Sequence, residues 1–242
     1  MNDYARRLDE IDESYHDADI PDKFIENICQ EHMMTWLISK IAEKQSILEL
    51  GYGDGIINRA LVARAAPVHV IEGSPRVVAR ARALDPSLSI EQVMFENFVP
   101  QKRYDCILAM HVLEHVDDPV SLLKKMRSWL SSDGELLVVV PNKGSLHRKL
   151  AVVMGLQDQL DALSPRDHAV GHQRVYSHQT LNFDLDAAGY TVVESTGFFL
   201  KTLPNGMMLD HSESLIRAMN EISTDLPKKL LANIGMIAGV RD

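Results

Sequence analysis

The segment SILELGYGDG, Ser46 to Gly55, limits what this chain can fold into more than any other stretch. A short apolar run ends in Glu49-Leu50, meets glycines at alternate positions (Gly51, Gly53, Gly55), and passes at once into Ile56 to Ala65, which reads as a helix. Glycine takes positive φ without steric penalty and its bare backbone lets a ligand approach, so the spacing describes a sharp strand-to-helix turn around a ligand. A tight βα turn that binds nothing is the competing reading. Three alternate glycines behind a strand-terminal Glu are more specific than a lone GxGxxG and favour the ligand. Asp54 suits the N-cap of the helix that follows.

Around this turn, short apolar runs alternate with helix-length amphipathic segments, the pattern of a parallel sheet covered by helices on both faces. Phe24 to Glu43 carries Ile28, Trp36, Leu37 and Ile41 at helical spacing and leads into the first strand, Ser46 to Leu50. Pro67 to Glu72 reads as a second strand, with a helix from Pro75, a residue suited to a first turn. Tyr104 to Met110 is a buried strand, Pro119 to Leu130 a helix, and Glu135 to Val140 a central strand stopped by Pro141. From Asn142 to Gln179 the alternation stalls in a short apolar helix, Leu146 to Leu156, and a polar stretch holding His147, His168, His172 and His178. A connection this long is usually a lid or binding element. The alternation resumes with a helix at Thr180 to Ala188, a strand at Tyr190 to Glu194, a helix near Ser212 to Ile222 and a last strand in Leu230 to Val240.

The expected organisation is a single domain over 1–242: an N-terminal helical lid (1–44), a ligand-binding half (45–141), a substrate cap (142–179), and C-terminal helices and last strands (180–242). With 45% hydrophobic and 24% charged residues the chain reads as globular. No apolar run nears the roughly 20 residues that span a bilayer, and Met1 to Asp22 lacks the apolar core of a secretory signal, so the expected address is cytoplasmic, with no membrane partner. A formal charge of −9 repels phosphate backbones and disfavours nucleic acid. Cys29 and Cys106, far apart and without CxxC spacing, make a disulfide framework or zinc ribbon improbable.

Glu72 ends the second strand and so lies beside the glycine turn, where a carboxylate can accept both hydroxyl hydrogens of a ribose. A solvated loop carboxylate is its bland alternative. What decides the chemistry is YDCILAMHVLEHVDDP, which puts His111 and an acidic residue between a strand end and the helix start at Asp118-Pro119. Taken together and in order, LELGYGDG, VIEGSP, YDCILAMHVLEHVDDP and GELLVVVPN resemble the small-molecule branch of class I S-adenosylmethionine-dependent methyltransferases, similar to ubiquinone-biosynthesis-type enzymes, over Ser46 to Asn142.

That resemblance implies a Rossmann-like αβα sandwich with a mostly parallel seven-stranded sheet and a reversed last hairpin. It implies S-adenosylmethionine as cofactor and S-adenosylhomocysteine as product. Gly51, Gly53 and Gly55 would wrap the methionine and ribose, Glu49 would meet the amino group directly or through water, Glu72 would bind the ribose, and Gly73 is a further cofactor-binding residue. Ala109, Met110 and His111 would flank the sulfonium. Where the family carries an acidic residue after the third strand, this chain has Met94, so adenine contacts are expected from Met94 and Phe95. The segment GHQRVYS, Gly171 to Ser177, resembles the loop that closes over the substrate in this branch. His172, Arg174 and Tyr176 alternate there, so in an extended loop they share a face; surface-loop chemistry is the alternative for each. Tyr4, Tyr15 and Trp36 are further lid candidates, with core packing the stronger role for Trp36.

A methyl on a sulfonium is already activated, so the protein must align the nucleophile, exclude water and remove a proton. His111 is the first candidate base and His172 the second, with His115, Arg174 and Tyr176 on the substrate. The expected reaction moves the methyl to an O or N atom of a small polar metabolite, and a homodimer is the assembly allowed for. Two rivals are a non-catalytic adenosyl-ligand-binding protein and an NAD-dependent oxidoreductase; the latter's GxGxxG would need glycine at Asn58, and no Tyr-x-x-x-Lys pair is present. His111, Glu114 and His115 also spell HxxEH, but a zinc peptidase needs both histidines on one continuous helix, and here a strand runs into the motif. His168 and His172 could share a metal on a helix, but Gly171 between them argues for a loop. No metal is expected.

Overall fold

A computed structural model describes residues 8, 9, 11, 12, 21–44, 46–63 and 67–241. Seven strands form one sheet in the order β3-β2-β1-β4-β5-β7-β6. They are β1 (Ile47–Leu50), β2 (Val68–Glu72), β3 (Ile90–Gln92), β4 (Tyr104–Met110), β5 (Leu130–Pro141), β6 (Tyr190–Phe198) and β7 (Asn233–Val240). The pairings from β3 through β5 are parallel, and β7 runs antiparallel between β5 and β6. This is the reversed last hairpin that the resemblance implies.

Continuous apolar strands arise because both faces of the sheet are covered. Along β5, Leu136, Val138 and Val140 enter one core, where Leu122, Met126 and Trp129 of α4 (Pro119–Trp129) meet Leu181 and Leu185 of α7 (His178–Ala187). The alternate residues Leu137 and Val139 enter the other core, packed by α1 (Lys23–Ile41), α2 (Ile56–Val62) and α3 (Pro75–Leu84). Ser74 caps α3 by accepting from the Val77 amide, and Asp118 caps α4 through the Ser121 amide, each with a proline next in the helix. No helix among the described residues is long and apolar enough to cross a membrane.

Three local expectations shift. The edge strand β3, which the resemblance implies ahead of Met94, has no bounds in the residue pattern; only Ile90 of its three residues is buried, so no apolar run marks it. Strand β5 begins five residues earlier than its apolar core, because Leu130 pairs with Tyr104 ahead of Gly134. Most of α1 forms a core layer, burying Met33, Met34, Leu37 and Ile41, and Trp36 packs on Phe198 with ring centroids 5.3 Å apart. Only the start of α1 reaches the glycine turn, where Lys23 bonds Asp54 at 3.0 Å. Tyr4 and Tyr15 lie outside the described residues.

The insertion after β5 contains α5 (Leu146–Val153) and α6 (Pro165–Ala169) and is closed at its neck: the Tyr176 amide donates to Pro141 and the Lys143 amide to Tyr176. Asn142 is the clasp. Its buried amide donates to the carbonyls of Leu231 at 2.8 Å and Lys229 at 3.1 Å, and its oxygen accepts from the Gly144 amide at 2.8 Å. Substituting Asn142→Ala strands those groups in a buried neck, and urea unfolding is expected to show a loss of about 3 kcal/mol. A loss below about 1 kcal/mol would mean that the neck is held by its backbone bonds alone.

Candidate active site

All three glycines of the turn take positive φ: 79° at Gly51, 54° at Gly53 and 71° at Gly55. At Gly55 the requirement is doubled, since a Cβ there would lie 2.4 Å from the Tyr52 ring. Tyr52 is itself fixed by its amide, which donates to Glu72 at 3.0 Å. The other oxygen of Glu72 accepts from the Ser74 amide at 2.8 Å, so this carboxylate joins the end of β2 to the turn after β1. Burial pushes the Glu72 carboxyl up, and its backbone hydrogen bonds only partly offset that.

Glu49 is in a different state. It is 2% exposed, and among the described residues its carboxylate accepts only from the Asn58 amide, at 3.2 Å. Desolvation raises it to about 8, with Asn58 pulling down and the charge of Glu72 pushing further up. A buried carboxylate with so little compensation invites a cationic partner.

Beside the turn, Met94 and Gly73 are in close register: a Cβ on Gly73 would lie 2.8 Å from the Met94 sulfur and 2.7 Å from the Leu8 side chain. The Phe95 ring stands at ordinary contact distance, 3.8 Å, from a Cβ built on Gly51. Gly73, Met94 and Phe95 therefore border the glycine turn together with an apolar cover from Leu8. Ionic ties hold that cover down. Asp9 accepts from the Ser74 hydroxyl, and buried Asp12 takes both guanidinium nitrogens of Arg80, at 2.7 and 3.0 Å, while Arg80 also donates to the Gly53 carbonyl.

At the end of β4, Ala109 is fully buried, Met110 nearly so, and His111 adopts φ 57°, a left-handed conformation rare outside glycine. Its amide remains on the ladder, donating to Val139 at 2.8 Å, while Nδ1 lies 3.0 Å from Glu114. The turn therefore presents a third of the His111 side chain to solvent with its ring held by a fully buried carboxylate. Burial alone would raise Glu114, but the His111 hydrogen bond and the neighbouring His111, His115 and His172 bring it below the ordinary range.

Residues 111–116 form turns, not a helix, so the peptidase arrangement is absent. The fold instead brings His172 across from the insertion. Its ring centroid lies 4.7 Å from that of His115, and Glu114, His115 and His172 each offer a ligand atom within 4.8 Å of the others. Behind it, His172 Nδ1 lies 3.0 Å from Asp167, which also accepts from Arg148 at 2.9 Å. One oxygen and two imidazole nitrogens, backed by a carboxylate, can hold a borderline divalent ion or handle a proton. Neither Asp167 nor Arg148 stood out in sequence; the signal was the capping box from Ser164 to Asp167. Gly171, with φ 77°, makes the return that carries His172 inward.

Arg174 and Tyr176 have structural partners. The Arg174 guanidinium donates to the carbonyls of Leu113, Val116 and Asp117, fastening the insertion to the turn after β4. Tyr176 is 2% exposed and its hydroxyl donates to Asp184 at 3.3 Å. The two do not share an open face with His172, because this stretch crosses the neck of the insertion instead of lying extended over the surface.

Residues 23–195 match the family described as a methyltransferase domain. A ubiquinone biosynthesis O-methyltransferase of Actinobacillus pleuropneumoniae serotype 5b is 31% identical over 134 residues, 51% of this chain and 57% of that protein. Its serotype 7 counterpart is 28% identical over 180 residues, 70% of this chain and 76% of that protein. The chain thus spans from 55% to 76% of the length of such curated relatives. Among solved structures, the 1,6-didemethyltoxoflavin-N1-methyltransferase of Burkholderia thailandensis, with bound 1,6-didemethyltoxoflavin and S-adenosylhomocysteine, shares the fold. Its TM-score is 0.65 at 18% identity, over 99% of this chain and 90% of that one.

The state of Glu49 has a measurable sign. Between the ordinary value of 4.5 and about 8, the folded protein keeps a proton that the unfolded chain has lost, so stability is greatest at the acid end and falls as pH rises through that window. Without ligand, Glu49→Gln is expected to flatten the decline in melting temperature from pH 5 to pH 8. A decline of unchanged slope would show that Glu49 ionises at its ordinary pH in the folded protein.

Proposed function

The chain belongs to the methyltransferase-domain family, and from that premise we propose that it moves a methyl group from S-adenosylmethionine to an oxygen or nitrogen atom of a small polar metabolite. The observation that carries this reading is the buried, undercompensated Glu49 beneath three glycines of positive φ. A ligand that combines an ammonium group, a ribose and an apolar base fits that donor set. Glu49 takes the ammonium directly or through water. Gly51, Gly53 and Gly55 leave the backbone bare beside methionine and ribose. Glu72, though tied to two amides, keeps free lone pairs for the ribose hydroxyls. Gly73, Met94 and Phe95 border the base, and Ala109, Met110 and His111 the reacting end.

Bound there, the cofactor supplies a methyl group already activated by its sulfonium. The chain's own task is to orient the acceptor and take its proton. Glu114 on Nδ1 leaves His111 Nε2 as the proton-accepting atom, and Asp167 does the same for His172. His115 stands between them against the acceptor, while Arg174 and Tyr176 act through the loop they fix. The names of the relatives include both an O-methyltransferase and an N1-methyltransferase, and the proposal spans both atoms accordingly.

A non-catalytic adenosyl-binding protein would have no use for two carboxylate-held histidines beside the turn. An NAD-dependent oxidoreductase is disfavoured because Asn58, where its third glycine would stand, is buried on Glu49. Calorimetry is expected to show S-adenosylhomocysteine binding and no NAD binding; the reverse would overturn the assignment. With an identified acceptor, His111→Ala is expected to lower kcat by about 10² to 10⁴ while S-adenosylhomocysteine affinity changes by less than about threefold. Full turnover at saturating acceptor would remove His111 from the chemistry.

A further inference from the structure

A third polar group stands at the same carboxyl edge of the sheet, away from both the glycine turn and the His111 cluster. Ser145 follows β5 and Lys201 follows β6, and the two exits are bound together: the Asn142 amide donates to Ala232 and the Ala232 amide to Phe199, each at 2.8 Å. Leu200 and Leu203, on either side of Lys201, pack with Ile25 and Ile28 of α1 and with Met208, so the lysine is framed by apolar side chains.

Among the described residues, three features of this group lack partners. Among the described residues, Lys201 has no ion pair; Glu26, on the facing turn of α1, is shared by Lys23 at 3.8 Å and Arg166 at 3.6 Å. Ser145 is fully buried with no partner for its hydroxyl, and although it is the N-cap of α5 its side chain makes no cap bond. His147, on the first turn of α5, has a buried Nδ1 with no partner. Desolvation, then the charges of Lys201 and Arg148, drive His147 down to about 2, so it is a neutral ring able to donate from Nδ1. Desolvation likewise holds Lys201 below the ordinary lysine range.

Arg148 does not change the count, being committed to Asp167 and to the Ala162 carbonyl at 2.8 Å. The carboxylates of Glu26 and Asp22 act on Lys201 through space without pairing it, so what is left among the described residues is one cation with no ion pair, two unsatisfied donors and the positive end of an eight-residue helix. Water can satisfy the donors but does not match the charge. A single negative charge spread over two oxygens matches all of it.

We propose that Lys201, Ser145, His147 and the first turn of α5 form a carboxylate subsite, and that the methyl acceptor is a carboxylic acid held there by its carboxylate. This rests on the methyltransferase reading and narrows it to a substrate class. The run Arg148, Asp167, His172, His115 links the first turn of α5 to the His111 cluster, so anchoring and proton removal occupy two ends of one polar chain.

The test titrates the protein, with and without S-adenosylhomocysteine, with benzoate, 4-hydroxybenzoate and hexanoate, each against its primary amide. At least one acid is expected to bind about tenfold tighter than its amide. Lys201→Met should reduce that preference to about twofold or less, Lys201→Arg should keep it, and S-adenosylhomocysteine affinity should stay within about twofold throughout. Equal binding of every acid and its amide, or a preference that survives Lys201→Met, overturns the subsite. If Lys201→Met does not fold, Ser145→Ala decides, and an undiminished preference there overturns it as well. S-adenosylhomocysteine failing to bind wild type would strike the cofactor reading instead, while the acid titrations without it still judge the subsite.

Discussion

Two carboxylates buried side by side where β1 and β2 end are the constraint around which the rest of the edge is arranged. Glu72 is held by backbone amides that offset part of its burial, and through them it fixes Tyr52 and Ser74 in place. Among the described residues Glu49 has only an amide nitrogen from Asn58, and desolvation holds its carboxyl well above the ordinary range under the glycine turn. Burying a carboxylate this way costs stability, and a fold keeps such a cost where a ligand removes it. The left-handed glycines, the Tyr52 ring that forbids any side chain at position 55, and the cover pinned by Asp12 and Arg80 all serve that one spot.

How much of this was legible in sequence depended on how local the cause was. Strand β1, the glycine turn and β4 were readable because uninterrupted apolar residues report burial on both faces, and glycine reports backbone geometry. Glu72 could be placed beside the turn because parallel strands end at the same edge, but its grip on the Tyr52 amide could not, since that depends on one rotamer. The edge strand β3 was invisible for the opposite reason: a strand with one buried residue has no period to detect.

The histidines show the limit more sharply. His111, Glu114 and His115 were visible as one motif, but nothing in the sequence showed that the fold brings His172 beside His115 from the far side of the insertion. That approach depends on Asn142 closing the neck, Arg174 fastening the loop to three carbonyls, and Gly171 turning the chain. On an extended loop Arg174 and Tyr176 would share a face with His172; the stretch crosses the neck instead, and each of the two side chains has a protein partner. Once the stretch crosses the neck, Arg174 satisfies backbone carbonyls and the Tyr176 hydroxyl goes to Asp184, and satisfying such groups takes precedence over exposure.

Net charge was the least local quantity of all, and it was the least informative about the acceptor. A chain of formal charge −9 argues against a polyanion, and that inference concerns the field far from the surface. Within the edge, the balance is set by pairing: among the described residues Lys23, Arg80, Arg148 and Arg166 are each matched to a carboxylate, and Lys201 is not. One unmatched cation in an apolar frame bears more on a small ligand than the sum of all the matched charges, because desolvation lengthens the reach of the charge that remains. The same edge therefore presents an unmet carboxylate at the glycine turn and an unmet ammonium beyond β6. On the readings proposed, a zwitterionic cofactor answers the first and an acidic acceptor the second.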